Sequence, residues 1–313
     1  MTIDNTTSAP GKRIIVAIVV TVLAWSSAFI VIRGTGEFIS GGALALGRLV
    51  VGTVLLGVVA LIGGRWVAPT GREWLQIIGF GVLWFGAYNV ALNIAEQTLD
   101  AGTTAMIVNI APILVALGAG IFLREGIPKW LAIGAGVALV GVVLIGFASG
   151  GAQVGDGSGV LWALVAAITY TIGVLLQKPA LRRLPNAQVT WLGCVIGMVA
   201  CLAFAGDLVR EVQDAPTGAI IGVIYLGAVP TALAFSTWAY ALSRMPAGQL
   251  GITTYLVPPL VILLGLIVFG EVPAAMAVVG GAICLVGVAL SRSRTRPVRP
   301  SATVSDPAKN MAE

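Results

Sequence analysis

Arg48 is the one ionisable side chain that falls well inside an apolar run of the sequence, six residues in from one end of Gly42–Ile62. At 1.5 Å per residue that is roughly 9 Å deep in a helix. A charge at such depth in an apolar medium needs a partner or a wet cavity. Asn89, Asn93, Glu96 and Asp100 recur at three- to four-residue spacing in another run and would form a polar stripe on one helix face, with Asn89 expected to contact a ligand. Two readings of Arg48 follow: an ion pair with Glu96 or Asp100, or contact with an anionic or zwitterionic ligand group. Pro112 and Pro258 fall near the middle of their runs. Each removes a backbone donor and frees the carbonyl four residues back, at Val108 and Thr254. They are expected either as packing kinks or as hinges and a ligand surface shared by the two broken helices, with Thr253 alongside and Asn109, Thr254 and Tyr255 as ligand contacts. Trp25 with Ser26, Trp84 with Tyr88 one turn on, and Tyr170 are also mid-run and are candidates to line a cavity.

Other chemistry is excluded by what the sequence lacks. None of its 313 residues is histidine, the commonest general base, proton shuttle and metal ligand. Cys194, Cys201 and Cys284 all lie within apolar runs, which is neither a disulfide framework nor a metal motif. No carboxylate lies deep in a run, so a proton relay would need Glu96, Asp100 or an acid at a rim. No metal or cofactor is expected, and the chain is not read as an enzyme.

The elements that must position these residues are membrane helices. The chain is 58% apolar and 10% charged, against about 25% charged in soluble domains. A helix needs about 20 mostly apolar residues to cross a bilayer. That ruler gives ten spans: 14–32, 42–62, 74–97, 101–123, 130–148, 160–177, 187–205, 218–242, 248–269 and 273–290. The first run, at 19 residues, is longer than a signal-peptide core and is read as a helix. With the N-terminus inside, the inner segments hold fifteen of the eighteen lysines and arginines. These are Lys12, Arg13, Arg65, Arg72, Arg124, Lys129, Lys178, Arg182, Arg183, Arg244 and five in the tail after Ser291. Only Arg33 and Arg210 fall outside, so both termini are expected in the cytoplasm of a multi-pass inner-membrane protein. The net charge of +5 therefore reports topology rather than nucleic acid. Trp66, Trp74, Trp130, Trp162 and Trp191 sit at span ends, as an interfacial belt would. The basic tail 291–313 is expected to be disordered.

The chain also repeats itself. Shifted by 146 residues, 101–144 lies over 247–290 without a gap, with fourteen of forty-four pairs identical, among them Pro112/Pro258, Glu125/Glu271 and Gly134/Gly280. The first spans correspond at an offset of 145, Trp25 over Tyr170 and Arg33 over Lys178. Five spans per half is an odd number, so the second copy enters from the opposite face. That is the inverted repeat from which alternating-access carriers are built, with a site near the midplane. The expected organisation is a tail (1–13), a first repeat (14–148), an outer loop (149–159), a second repeat (160–290) and the basic tail.

The stretch Asp100, Ala101, Gly102, Thr103, Thr104, then Pro112, then Phe122 to Glu125, Gly134 and Gly141 resembles the fourth and fifth helices of an EamA domain. Pro246, Ala247, Gly248, then Pro258, Phe269, Gly270, Glu271, Gly280 and Gly287 are similar in the same way. Trp25 to Phe29 resembles the family's first-helix pattern, and Arg48 stands where its second helix commonly carries an arginine. The resemblance covers about residues 14–290. It implies the drug/metabolite transporter superfamily: an all-α integral membrane protein of ten helices in two inverted five-helix repeats, usually exporting small metabolites, amino acids or drugs. Glu125 and Glu271 mark the repeat and are read as structural, since each sits at a helix end where a carboxylate can take free N–H groups. The expected partners are a small-molecule substrate and the lipid bilayer. Gly134, Ala138, Gly280 and Cys284 permit close helix contact, within the chain or in a homodimer. An uptake carrier or exchanger of the same fold remains open. A non-transporting scaffold and a membrane enzyme are the alternatives from other classes.

Overall fold

The computed structural model describes residues 11–63, 65–123, 157–270 and 274–292, with nine further positions between 129 and 144. Every regular element among them is helical. The first half gives α1 (Lys12–Thr35), α2 (Gly41–Ile62), α3 (Gly71–Thr98) and α4 (Ala101–Phe122). The second gives α5 (Ser158–Ala180), α6 (Asn186–Ala200), α7 (Ala205–Asp214), α8 (Thr217–Leu242), α9 (Ala247–Phe269) and α10 (Ala275–Arg292). Seven of these, α1 to α5 with α8 and α9, are long and apolar enough to cross a membrane. The pair Asn186–Ala200 and Leu202–Asp214, bent by 49°, counts as an eighth if taken as one span. Most of the expected fifth span and of both tails, with Glu125 and Glu271, lies outside the described residues.

One loop is corrected. The acidic segment bearing Asp207, Glu211 and Asp214, expected as a loop, is the helix α7. Ala205, Leu208, Val209 and Val212 recur at helical spacing and form an apolar stripe too short to register as a span. Leu208 and Val212 pack against the core.

Lipid tails are as apolar as leucine, so helices here associate by close packing and internal hydrogen bonds. The contacts between halves come in matched pairs. Helix α1 packs on α8 and α9, and α5 packs on α3 and α4. Helices α3 and α8 each contain a seven-residue π-helical segment, Gly81–Ala87 and Gly227–Leu233. They are 146 residues apart, the offset of the repeat. Each lies on the second helix of the opposite half, the first on α6 and the other on α2. A Cβ on Gly81 would sit 2.6 Å from the Gly193 carbonyl oxygen, and one on Gly227 2.7 Å from that of Arg48. Glycine is required at both points of backbone contact.

A π-turn leaves carbonyls without their usual helical donors, and polar side chains satisfy them here. Asn89 Nδ2 donates to the Trp84 carbonyl (3.2 Å) and the Phe85 carbonyl (2.7 Å). Thr231 Oγ1 donates to the Leu226 carbonyl (2.8 Å), next to Pro230.

Hydrogen bonds tie the helix ends into two clusters. In one, Arg33 Nη1 donates to the Glu96 carbonyl (3.2 Å), Asn93 Nδ2 to the Gly41 carbonyl (3.0 Å), and the Ser40 amide to Glu211 Oε2 (2.8 Å). In the other, Gln188 Nε2 donates to the Val67 carbonyl (2.7 Å) and Asn186 Nδ2 to Ser243 Oγ (3.2 Å). There Arg183 pairs with Glu73, and Lys178 Nζ donates to the carbonyls of Leu242 and Met245. The first cluster joins segments expected outside the cell and the second joins segments expected inside. Arg33 on Glu96 and Lys178 on Leu242 are repeat equivalents: each is a cation at the carbonyl end of a helix, α3 or α8, where the helix dipole favours it.

Candidate functional site

The site is a cavity between the halves, lined by Trp25 and Phe29 of α1, Arg48 of α2, Trp84, Tyr88 and Leu92 of α3, and Val108, Asn109 and Pro112 of α4. The second half closes it with Tyr170 of α5, Phe235 of α8, and Thr254 and Val257 of α9. Trp25, Tyr170, Asn109 and Thr254 all stand near the middle of their helices, so the cavity is at mid-depth. Its floor is an aromatic cluster. Trp84 stacks on Tyr170 with ring centres 4.8 Å apart, Trp25 lies 5.0 Å from Trp238, and Phe235 meets Phe85 at 4.4 Å. Trp25 Nε1 donates to the Pro230 carbonyl (3.3 Å), which joins the first helix to the π segment of α8.

The cavity volume is about 40 Å³, room for about three waters at roughly 10–15 Å³ each. A ligand of metabolite size enters only if the walls move. The structure therefore shows the cavity in a contracted form.

Arg48 is buried, 3% exposed, and its hydrogen bond goes to Thr231 rather than to the acids of the α3 stripe. Nε donates to Thr231 Oγ1 at 3.1 Å, while Nη1, also buried, has no hydrogen-bond partner. Asp100 is occupied elsewhere, capping α4 by accepting the Thr103 amide (2.8 Å). Asn109 Nδ2 donates to the Ala105 carbonyl (3.0 Å), and its Oδ1 is buried without a partner. The Tyr170 hydroxyl is likewise buried without a partner, so three lining residues carry an unpartnered polar atom: Arg48 Nη1, Asn109 Oδ1 and Tyr170 Oη. Orphaned buried groups cost about 1–3 kcal/mol each, and water or a polar ligand relieves that cost.

Seven of the ten expected ligand-contacting residues line this cavity, with the expected hinge residue Pro112. Three do not. Ser26 is buried, and its hydroxyl donates back to the Val22 carbonyl (2.8 Å). Asn89 serves the π segment. Tyr255 and the other hinge residue, Pro258, line a separate apolar cleft of about 310 Å³ with Met106, Pro259 and Ile262, which Asn109 also borders. The expected breaks are present: α4 turns at Asn109 and Ile110, and α9 tightens to a 3₁₀ turn at Thr254–Leu256. The Thr254 carbonyl is not left free, because that turn lets it accept the Val257 amide. Phe235, Trp238 and Thr231 were not anticipated. The signal available was their place on α8 beside Pro230, a mid-span proline without a repeat partner. Among the described residues no cluster of His, Cys, Asp or Glu is suited to a metal.

A mid-depth ligand cavity closed by two matched helical halves belongs to a multi-pass membrane transporter. The chain is a member of the EamA-like transporter family, whose model matches residues 12–147 and 157–293. It is 34% identical over 280 residues to a probable terminal-alkyne amino-acid exporter of Streptantibioticus cattleyicolor, covering 89% of this chain and 93% of that protein. It is 25% identical over 240 residues to a probable amino-acid metabolite efflux pump of Salmonella typhimurium, covering 73% and 80%. A solved crystal structure superposes with a TM-score of 0.63 at 18% identity, covering 89% of this chain and 96% of that one, which shows a shared fold.

Proposed function

We propose that this protein exports a small polar or amphipathic metabolite of the amino-acid kind across the cytoplasmic membrane by alternating access. The observation that carries this reading is the small mid-depth cavity, lined from both halves and flanked by helices broken at equivalent points. The names of the two relatives support export and the amino-acid class. In this reading ten helices form two inverted repeats, 14–148 and 160–290, with both termini in the cytoplasm. The ends of α4 and α5 that lie together, Gly118 facing Leu175, are in keeping with this arrangement. Trp25, Arg48, Trp84, Tyr88, Asn109, Tyr170 and Thr254 contact substrate. Pro112 and Pro258 are the hinges of α4 and α9.

A mass-spectrometric survey of the medium from overproducing cells tests this, against cells making Arg48→Ala at matched membrane level. A metabolite enriched outside only with the intact protein is the expected result. No enrichment, with both proteins folded in the membrane, overturns export.

A further inference from the structure

We propose that the substrate is anchored by a carboxylate at Arg48, that Thr231 is the positioning residue that aims this arginine, and that an amino group is dispensable. This rests on the export reading above and names the substrate class of the same cavity.

The cavity lining carries one formal charge, the Arg48 guanidinium, and no Asp or Glu. Glu96 lies two turns beyond Tyr88 on α3, at the end where Arg33 donates to its carbonyl, and is not a lining residue. A ligand with a negative end is therefore matched at Arg48. A substrate ammonium would find only neutral groups there: the Asn109 amide oxygen, the hydroxyls of Tyr88, Tyr170 and Thr254, and aromatic faces.

The aim of the guanidinium comes from Thr231. A hydroxyl has one proton, and arginine has no acceptor, so the two hydrogen bonds at Thr231 Oγ1 have a fixed sense. It gives its proton to the Leu226 carbonyl at 2.8 Å and accepts Arg48 Nε at 3.1 Å. Thr231 is wholly buried, and the carbonyl it serves is the one opposite Pro230 in the π segment. The π segment, the threonine and the arginine thus form one chain. Nε is held at its end, and Nη1, more than nine-tenths buried and without a partner, belongs to a lining residue. Charge-assisted bonds to carboxylate are about twice as strong as neutral ones and depend on orientation.

The test uses the purified full chain in proteoliposomes, with export read from preloaded vesicles. The probes are norleucine (zwitterion), N-acetylnorleucine (monoanion) and norleucinamide (cation), which share one apolar chain. N-acetylnorleucine is expected to be carried at least as well as norleucine, and norleucinamide about tenfold less or worse, the scale of one charge-assisted hydrogen bond. Thr231→Val is expected to raise the half-saturating concentration for the two acids about tenfold with a near-normal maximal rate, and Thr231→Ser to restore it. Carriage of the amide equal to that of the acids overturns the carboxylate anchor. A requirement for the free amine overturns its dispensability. Thr231→Val matching the parent, while Arg48→Ala is inactive, overturns the positioning role alone. Failure of the intact protein to carry any of the three overturns the inference, while export of another metabolite in the medium survey would leave the export reading standing.

Discussion

Arg48 and Trp25 show how single side chains tie the two halves together. Arg48 of α2 reaches Thr231 of α8, and Trp25 of α1 reaches the carbonyl of Pro230 on the same segment. Arg48→Ala is expected to reduce transport roughly tenfold or more, as the loss of a charged hydrogen bond does, with little loss of folded protein in the membrane. Quantitative immunoblotting beside a transport assay checks this, and an equal loss of both would make Arg48 structural. Trp25→Phe keeps the ring contacts but removes Nε1, so it should cost about 1 kcal/mol, read as a lower melting temperature in detergent. Arg48 was legible in the sequence because charge is scarce at depth. Its partner was not, since one threonine among many in apolar runs carries no signal of its own. Ser26 and Asn89 looked like ligand groups for the same reason: composition shows that a residue is polar, and only the fold shows whether its own backbone has already claimed it.

At the scale of elements, the two π segments are the features that hydropathy could not reveal. Gly81–Ala87 and Gly227–Leu233 share one glycine at the repeat offset and little else, so self-comparison passes over them. What repeats is the backbone approach that glycine allows and the need for a side chain to take up displaced carbonyls. Asn89→Leu would strip two carbonyls of their donor, and a loss of roughly 1–3 kcal/mol is expected, measured by thermal unfolding of the detergent-solubilised protein. Gly81→Val and Gly227→Ser test the two glycine contacts. Since both place a Cβ against backbone oxygen at 2.6 and 2.7 Å, both variants are expected to lower yield and melting temperature together. The proline breaks in α4 and α9, in contrast, were legible, because proline's missing donor acts wherever it stands. Helix α7 was missed because its apolar stripe is shorter than a membrane crossing.

For the molecule as a whole, repeat symmetry is written in contacts more clearly than in residues. The cations Arg33 and Lys178 reach equivalent carbonyls at opposite ends of the bundle, and both ends are drawn together around the small cavity. Alternating access requires one end to loosen while the other stays shut. Lys178→Ala is expected to weaken the inner closure and raise the labelling of an inner-cavity cysteine from the cytoplasmic face. The most direct measurement places one cysteine at Asn109 in a background with Cys194, Cys201 and Cys284 replaced. A membrane-impermeant thiol reagent is then applied to right-side-out and to inside-out vesicles. Labelling from both faces, slowed by an exported substrate, is the result predicted for a cavity that opens alternately. Labelling from one face only, or from neither, would contradict it.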